Sequence, residues 1–215
     1  MLSHNWVEAR GGWVLEAGLR LSTQSKKTLG FSYSSSLMLA KWAAGLHRAV
    51  HGLLGESSDE HWQRSVNLLS GKPVKALQGS GLRAGTARGP LVVTNLTVAT
   101  HLIGTPWLPS LNGALLVLED VGEAPYRIDR MLTQWRSAGL LNNLAGVACG
   151  RFSWAEDDIL PGDFSMEEIL EERLGDLGIP LVLNLPLGHG QPNHSLPLGA
   201  LAQLDGRRGQ LSLIR

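Results

Sequence analysis

The sequence predicts an α/β protein, because short apolar runs typical of buried strands alternate along the chain with segments whose apolar residues recur at helical spacing. The 215 residues suit one large domain or two small ones and are enough to bury a core. Apolar residues make up 43% of the chain and charged residues 18%, which is an ordinary globular composition.

Charge and cysteine content exclude several classes of function. Nineteen basic residues balance nineteen acidic ones, so nothing favours nucleic acid or an anionic membrane surface as a partner. The single cysteine, Cys149, excludes an intrachain disulfide and a multi-cysteine metal site, and its apolar surroundings predict that it is buried and inert. No apolar run approaches the ~20 residues of a membrane span, and the first residues lack the pattern of a signal peptide. We therefore expect a cytoplasmic protein.

The first part of the chain predicts a strand, a sharp turn and a helix. "WVEARGG" (6–12) is typical of a short strand that enters a glycine loop, and "KKTLGF" (26–31) of a second strand. A helix is predicted from residue 34 to about residue 47, on the spacing of Leu37, Met38, Trp42 and Leu46.

The next segments are less regular. Residues 55–74 are polar at their start and predict a linker that carries a short helix. "GSGLRAGTARG" (79–89) predicts loop and turn because it is rich in glycine. Residues 90–106 predict a strand followed by a helix or an extended segment.

Residues 114–139 have the clearest organisation. A buried strand is predicted over 114–118 and a loop over 119–123. Pro125 suits the first turn of the following helix, where a missing N–H costs nothing, and Gly139 ends that helix.

The last third of the chain predicts further strands alternating with a helix. "LAGVACGRF" (144–152) is a buried strand, and Ser165 with Glu168 three residues later predicts the capped start of an amphipathic helix. A strand over "IPLVLNLPLG" then runs into a glycine–histidine turn, and residues 196–215 predict two short strands joined by a turn at "DGRRG".

Three polar residues that end predicted strands suggest a catalytic set. A serine is a poor nucleophile unless a base takes its proton and a third group orients that base. Ser32, Glu119 and His189 could supply these roles, because side chains at strand ends gather at one edge of an α/β sheet. Each also has an ordinary interpretation: Ser32 as a helix cap, Glu119 as a partner of Arg127, and His189 as a surface residue.

Neighbouring residues extend or compete with this set. The helix that begins after Ser32 favours negative charge at its start, so the backbone N–H of Tyr33 could hold an oxyanion, with Gly11 or Gly12 as a second donor. Glu123 and Asp120 are rivals of Glu119 for the acid.

No feature of the sequence calls for a metal or a nucleotide. His189 and His194 lack the spacing and the cysteine partners of a zinc site, and no glycine-rich phosphate motif occurs. We therefore expect a site with no metal and no cofactor.

Several stretches resemble the LD-carboxypeptidase family of serine peptidases, which includes the microcin C immunity peptidases. "NLTVATHLIGTP", "LEDVGEAPYRIDRMLTQW" and "NLPLGHGQPNHSLPLG" carry the resemblance most specifically, and "GFSYSSSLMLA" and "ARGGW" resemble the family's "GFSD" turn and "RGGYG" loop. The resemblance covers nearly the whole chain from about residue 8.

The resemblance implies a fold and a site. The fold is a partial N-terminal α/β (flavodoxin-like) domain followed by a C-terminal swivelling, barrel-like α/β domain, with boundaries expected at 1–55, a linker at 56–80, and 81–215. By motif position the triad falls on Ser32, Glu119 and His189, and the oxyanion hole on the backbone N–H groups of Tyr33 and Gly12. The implied assembly is a homodimer.

The implied reaction is metal-free hydrolysis of an amide between an L- and a D-configured centre. The implied substrate is the murein tetrapeptide, which loses D-alanine during cell-wall recycling. Tyr33 stands where the family has aspartate, and Leu53 where it has proline. The "RGG" loop starts at residue 10, so we expect a shortened N-terminal half. Cleavage of a peptide antibiotic, or a catalytically weak homologue that binds or regulates, remain alternatives.

Overall fold

The computed structural model of the chain describes residues 27–46, 49–53, 59–154 and 164–214. The strand predicted over residues 6–12 lies outside these ranges. In chain order the strands are β1 (Thr28–Gly30), β2 (Ala49–His51), β3 (Leu77–Gln78), β4 (Ser80–Arg83), β5 (Thr86–Asn95), β6 (Leu115–Val121), β7 (Gly146–Ser153), β8 (Leu181–Leu183), β9 (Leu196–Pro197), β10 (Leu201–Asp205) and β11 (Gln210–Leu213). The helices are α1 (Ser34–Ala43), α2 (Asp59–Leu69), α3 (Leu96–Thr100), α4 (Pro125–Ser137) and α5 (Met166–Leu174).

The larger sheet is a nearly closed barrel. Its strand order is β3-β11-β10-β5-β6-β7-β8-β4, with β5 to β8 mutually parallel and the flanking strands antiparallel. Gly79 alone separates β3 from β4, although these strands lie at opposite ends of that order. The Gly79 N–H donates to Gly209 O at 2.8 Å, and a β-carbon on Gly79 would lie 2.3 Å from Leu183 O. The sheet therefore closes at a point where only glycine fits, and the barrel-like fold implied by the resemblance is confirmed.

The smaller sheet joins distant parts of the chain. β1 pairs with β2 in parallel, and β2 pairs with β9 antiparallel. The segment that follows His189 thus pairs with β2, the neighbour of the strand that leads into Ser32. The domain boundaries expected at residues 55 and 80 stay a prediction, and β9 pairs across them.

The core lies between the central strands and the helices. Strand residues 115–118 are at most 1% exposed, as expected for parallel strands covered on both faces. Helix α4 buries Ile128, Leu132 and Trp135, and the Trp135 indole donates to Thr100 Oγ1 at 2.8 Å. Burying so many large apolar side chains is the main favourable contribution to folding.

Several local predictions are confirmed. Pro125 occupies the first turn of α4, and Gly139, with φ of +71°, follows the end of that helix. Ser165 and Glu168 form a reciprocal capping box at the start of α5. β10 and β11 form the predicted antiparallel pair.

Three local predictions are wrong. Residues 79–89 form β4 and the start of β5 instead of a loop. The strand predicted to end at Leu118 continues to Val121, so Glu119 lies within β6. Helix α1 ends at Ala43, because Gly45 takes φ of +76° and turns the chain.

The helices among the described residues are between 5 and 13 residues long. None of them combines the length and the apolar character needed to cross a bilayer.

Candidate active site

Ser32 occupies a strained turn between β1 and α1. Its φ is +57°, a left-handed conformation that few non-glycine residues adopt and that costs about 1–3 kcal/mol. Phe31 O accepts from Ser34 N at 3.2 Å, and Ser32 O accepts from Ser35 N at 2.8 Å, which closes the turn. A β-carbon on Gly30 would lie 2.7 Å from Ser34 Cβ, so the turn also requires glycine at that position.

Glu119 and His189 form a hydrogen-bonded pair. Nδ1 of His189 lies 2.8 Å from Oε2 of Glu119. The Glu119 side chain is fully buried within β6, whereas the imidazole remains 23% exposed. A buried carboxylate on Nδ1 fixes the tautomer and leaves Nε2 to face a reacting group.

Glycine and asparagine shape the loop that carries the imidazole. Gly188 and Gly190 take φ of +103° and +123°, a range that side chains disfavour. The Gly188 N–H donates to the amide oxygen of buried Asn193 at 3.1 Å. The loop is therefore folded back on itself, with the buried Asn193 side chain holding the residue before His189.

The Phe31 ring, on the residue before Ser32, packs against two histidines. Its centroid lies 4.5 Å from that of His189 and 5.1 Å from that of His51. Within the described residues the Ser32 hydroxyl makes no hydrogen bond to His189. The contact between the serine turn and the imidazole that the structure describes is therefore the one made by the Phe31 ring.

The rival acids have other partners. Glu123 pairs with Arg127 at 3.2 Å on the surface. Asp120 accepts from the Thr97 and Val121 N–H groups, each at 2.7 Å, and burial raises the pKa of its carboxyl. Neither carboxylate is hydrogen-bonded to His189 among the residues that the structure describes.

One of the two predicted oxyanion donors can be located. Tyr33 precedes α1, and its N–H donates to no other described residue, so it remains available to a ligand. The side chain of Tyr33 is exposed, and the prediction rests on its backbone alone. Gly12 lies outside the described residues.

Two residues beside the site were missed at the level of sequence. These are His51 in β2 and Arg151 in β7. The His51 ring is 2% exposed, and its Nε2 has no hydrogen-bond partner among the described residues. Burial lowers the pKa of His51; the nearby Glu119 raises it and His189 lowers it further. No sequence motif could have indicated these contacts, since both residues approach the site through strand pairing.

Potential metal ligands and the single thiol are two further features of chemical interest. The described part of the chain contains no cluster of three or more histidine, cysteine or acidic side chains that could hold a metal ion. Cys149 is fully buried, as predicted, and burial raises the pKa of its thiol to about 12. A thiol of that kind is inert as a nucleophile.

Comparison with protein families gives a match over the barrel. Residues 88–204 match the family model described as the LD-carboxypeptidase C-terminal domain. The matched range contains Glu119 and His189 and excludes Ser32.

Relatives extend the similarity along the chain. A Synechocystis protein, assigned only provisionally by its name to the carboxypeptidases, is 46% identical over 89% of this chain and 65% of its own length. The murein tetrapeptide carboxypeptidase of Pseudomonas aeruginosa is 30% identical over 90% of this chain and 67% of its own. The chain thus spans about two thirds of the length of these relatives.

Solved structures show the same fold. The muramoyltetrapeptide carboxypeptidase of Oxalobacter formigenes superposes with a TM-score of 0.77 at 26% identity, over 87% of this chain and 67% of that one. The microcin C7 self-immunity protein MccF superposes with a TM-score of 0.74 at 18% identity, over 88% of this chain and 67% of that one, a likeness of fold alone.

Proposed function

The chain belongs to the LD-carboxypeptidase family, and from that premise we propose that it is a serine carboxypeptidase whose catalytic residues are Ser32, His189 and Glu119. The observation that carries the proposal is the 2.8 Å hydrogen bond between His189 Nδ1 and buried Glu119 Oε2. A lone surface histidine would not have such a partner. The strained turn at Ser32 beside the same loop supplies the nucleophile.

Acylation follows from the orientation of the imidazole. His189 Nε2 takes the proton of the Ser32 hydroxyl as its oxygen attacks the amide carbonyl, and a C–O bond forms. The resulting imidazolium donates through Nδ1 to Glu119, which stabilises its charge. The oxyanion accepts from the Tyr33 N–H and, we propose, from Gly12.

Bond cleavage and deacylation complete the cycle. His189 returns its proton to the leaving amine as the C–N bond breaks, and the free amino acid departs. A water molecule then gives a proton to His189 and attacks the acyl-enzyme. As the C–O bond to Ser32 breaks, His189 Nε2 returns that proton to the Ser32 oxygen, which restores the hydroxyl and releases the carboxylate product.

The proposed substrate is a murein tetrapeptide, which would lose its terminal D-alanine in the cytoplasm during cell-wall recycling. The names of the Pseudomonas aeruginosa and Oxalobacter formigenes proteins support this substrate class. A homodimer is proposed as the assembly, to be measured by light scattering of the purified protein. The likeness to MccF supports the fold and does not favour an antibiotic substrate.

Two measurements on the purified chain test the proposal. A fluorophosphonate probe should label the wild type and not Ser32→Ala. Incubation with murein tetrapeptide should release tripeptide and D-alanine, detected by mass spectrometry. Absence of both from a folded wild type would reject the peptidase and favour the binding homologue, whereas labelling without release would reject only the substrate.

A further inference from the structure

We propose that Arg151 is a positioning residue that holds the His189 loop so that the imidazole stays on Glu119. The catalytic consequence rests on the proposed function, whereas the structural role can be measured in a protein of any activity.

A bulge in β7 lies opposite the acid. Leu118 pairs with Cys149 and Asp120 with Phe152, so the two-residue step across Glu119 is matched by three residues in β7. The extra residue falls within the pair Gly150–Arg151. Bulges re-aim side chains beside active sites. A β-carbon on Gly150 would lie 2.7 Å from Leu187 O, so the bulge is pressed against the start of the histidine loop.

Both the backbone and the side chain of Arg151 bind that loop. The Arg151 N–H donates to Leu187 O at 2.8 Å, before the histidine. Its Nη2 donates to Gln191 O at 2.8 Å, after the histidine, and Nη1 lies 3.5 Å from His189 O. One residue therefore fixes the two ends of the loop and contacts the carbonyl of His189 itself.

The guanidinium fills the space over Gly190. A β-carbon there would lie 1.9 Å from Nη1 of Arg151, so the absence of a side chain at Gly190 lets the cation lie against the loop backbone. Within the described ranges no carboxylate pairs with Arg151. The guanidinium instead donates to carbonyl groups of the loop. Its several N–H donors in one plane can reach more than one carbonyl, which the ammonium group of a lysine would do less well.

The loop needs such a restraint because of its own sequence. Glycine on both sides of His189 gives the backbone more freedom than other residues would. A displacement of about 1 Å at a reacting group can lower a rate on the order of 10²-fold. Replacing Arg151 should therefore lower turnover while leaving the binding of substrate and the barrel largely intact.

Arg151→Gln and Arg151→Lys test the inference, with Arg83→Gln as the matched control. Arg83 lies on β4, and its Nη1 donates to the carbonyl of Gly175 at 2.5 Å. Arg83→Gln therefore removes an arginine–carbonyl hydrogen bond that does not involve the His189 loop. We expect Arg151→Gln to lower kcat on the order of 10²-fold with KM within about twofold, and Arg151→Lys to fall between it and the wild type. Arg83→Gln should retain kcat.

A spectroscopic readout separates this inference from the proposed function. The low-field proton resonance of His189 Nδ1–H, bonded to Glu119, should be sharp in wild type and Arg83→Gln. In Arg151→Gln it should broaden or disappear, while the melting temperature falls no more than in the control. This result would support the positioning role even in a chain without peptidase activity.

Two results would contradict the proposed positioning role of Arg151. An unchanged His189 resonance in both Arg151 variants would remove the positioning role, whatever the activity. A rise in KM at constant kcat would assign Arg151 to the substrate carboxylate instead. If Arg151→Gln does not fold, the resonance in Arg151→Lys decides between the same outcomes.

Discussion

A β-carbon on Gly188 would lie 3.0 Å from the β-carbon of Glu119. It would also lie 3.1 Å from Arg151 O, and the φ of Gly188 is +103°. The residue before His189 is therefore packed directly against the strand that carries Glu119. Glycine at this position sets the distance over which the imidazole reaches the carboxylate.

Gly188→Ala should lower kcat on the order of 10²-fold, because the loop must move away from Glu119 and lengthen the hydrogen bond to His189. Steady-state kinetics on the murein tetrapeptide would measure this. Gly178→Ala is the matched control: φ there is +76°, and nothing lies within 4 Å of the added carbon. It should lose roughly 1–2 kcal/mol of stability and keep its turnover. Equal turnover in the two variants would contradict the prediction.

Glu119→Gln should lower kcat far more than Glu123→Gln. An amide at 119 cannot stabilise the imidazolium as a carboxylate does, and comparable changes cost on the order of 10⁴-fold. Glu123 pairs with the exposed Arg127, and exposed pairs contribute about 0–1 kcal/mol. Parallel kinetics of the two variants measure the difference, and the reverse order would assign the acid to Glu123.

Ser32→Gly should be more stable than Ser32→Ala by about 0.5–1 kcal/mol, although neither should react with the probe. Alanine retains the left-handed strain at φ of +57°, whereas glycine relieves it at some cost in chain entropy. Urea denaturation of the two variants would measure the difference. An alanine variant of equal or greater stability would show that the turn is not strained.

Acid should destabilise the protein through His51. Burial lowers the pKa of its imidazole in the folded state, so below about pH 6.5 the unfolded chain binds a proton that the folded chain does not. Stability is therefore unaffected by this group above that pH and falls as the pH drops toward the folded pKa. The slope from one such group is at most about 1.4 kcal/mol per pH unit. Urea denaturation from about pH 7 to 5 should give a shallower slope in His51→Gln, and an identical slope would contradict this.

Local signals in the sequence were sufficient for helices α4 and α5 and for the β10–β11 hairpin. Pro125 and Gly139 mark the ends of α4, and Ser165 with Glu168 marks the start of α5, because capping depends on neighbours in sequence. The assignment of Glu119 and His189 to one site used strand ends and family motifs. The distance between them follows from the register of the barrel, which those signals do not contain.

The glycines of residues 79–89 explain why a loop is predicted where the structure has strands. The glycines of residues 79–89 were interpreted as turn residues, yet Gly81 and Gly89 lie in strands. Added β-carbons there would lie 2.1 Å from Gly206 O and 2.2 Å from Gly113 O. Glycine is required because another backbone passes close by, and a single sequence does not distinguish that need from a turn. The roles of His51 and Arg151 escaped prediction for a related reason, since neither carries a local motif.

The pairing of β9 with β2 has a consequence for the chain as it is made. β9 follows six of the eight barrel strands in sequence, and it comes after the imidazole that would activate Ser32. A polypeptide still emerging from the ribosome would expose its serine turn long before it held a base. Under the proposed function, incomplete chains would have no hydrolytic activity until β9 is synthesised and pairs with β2.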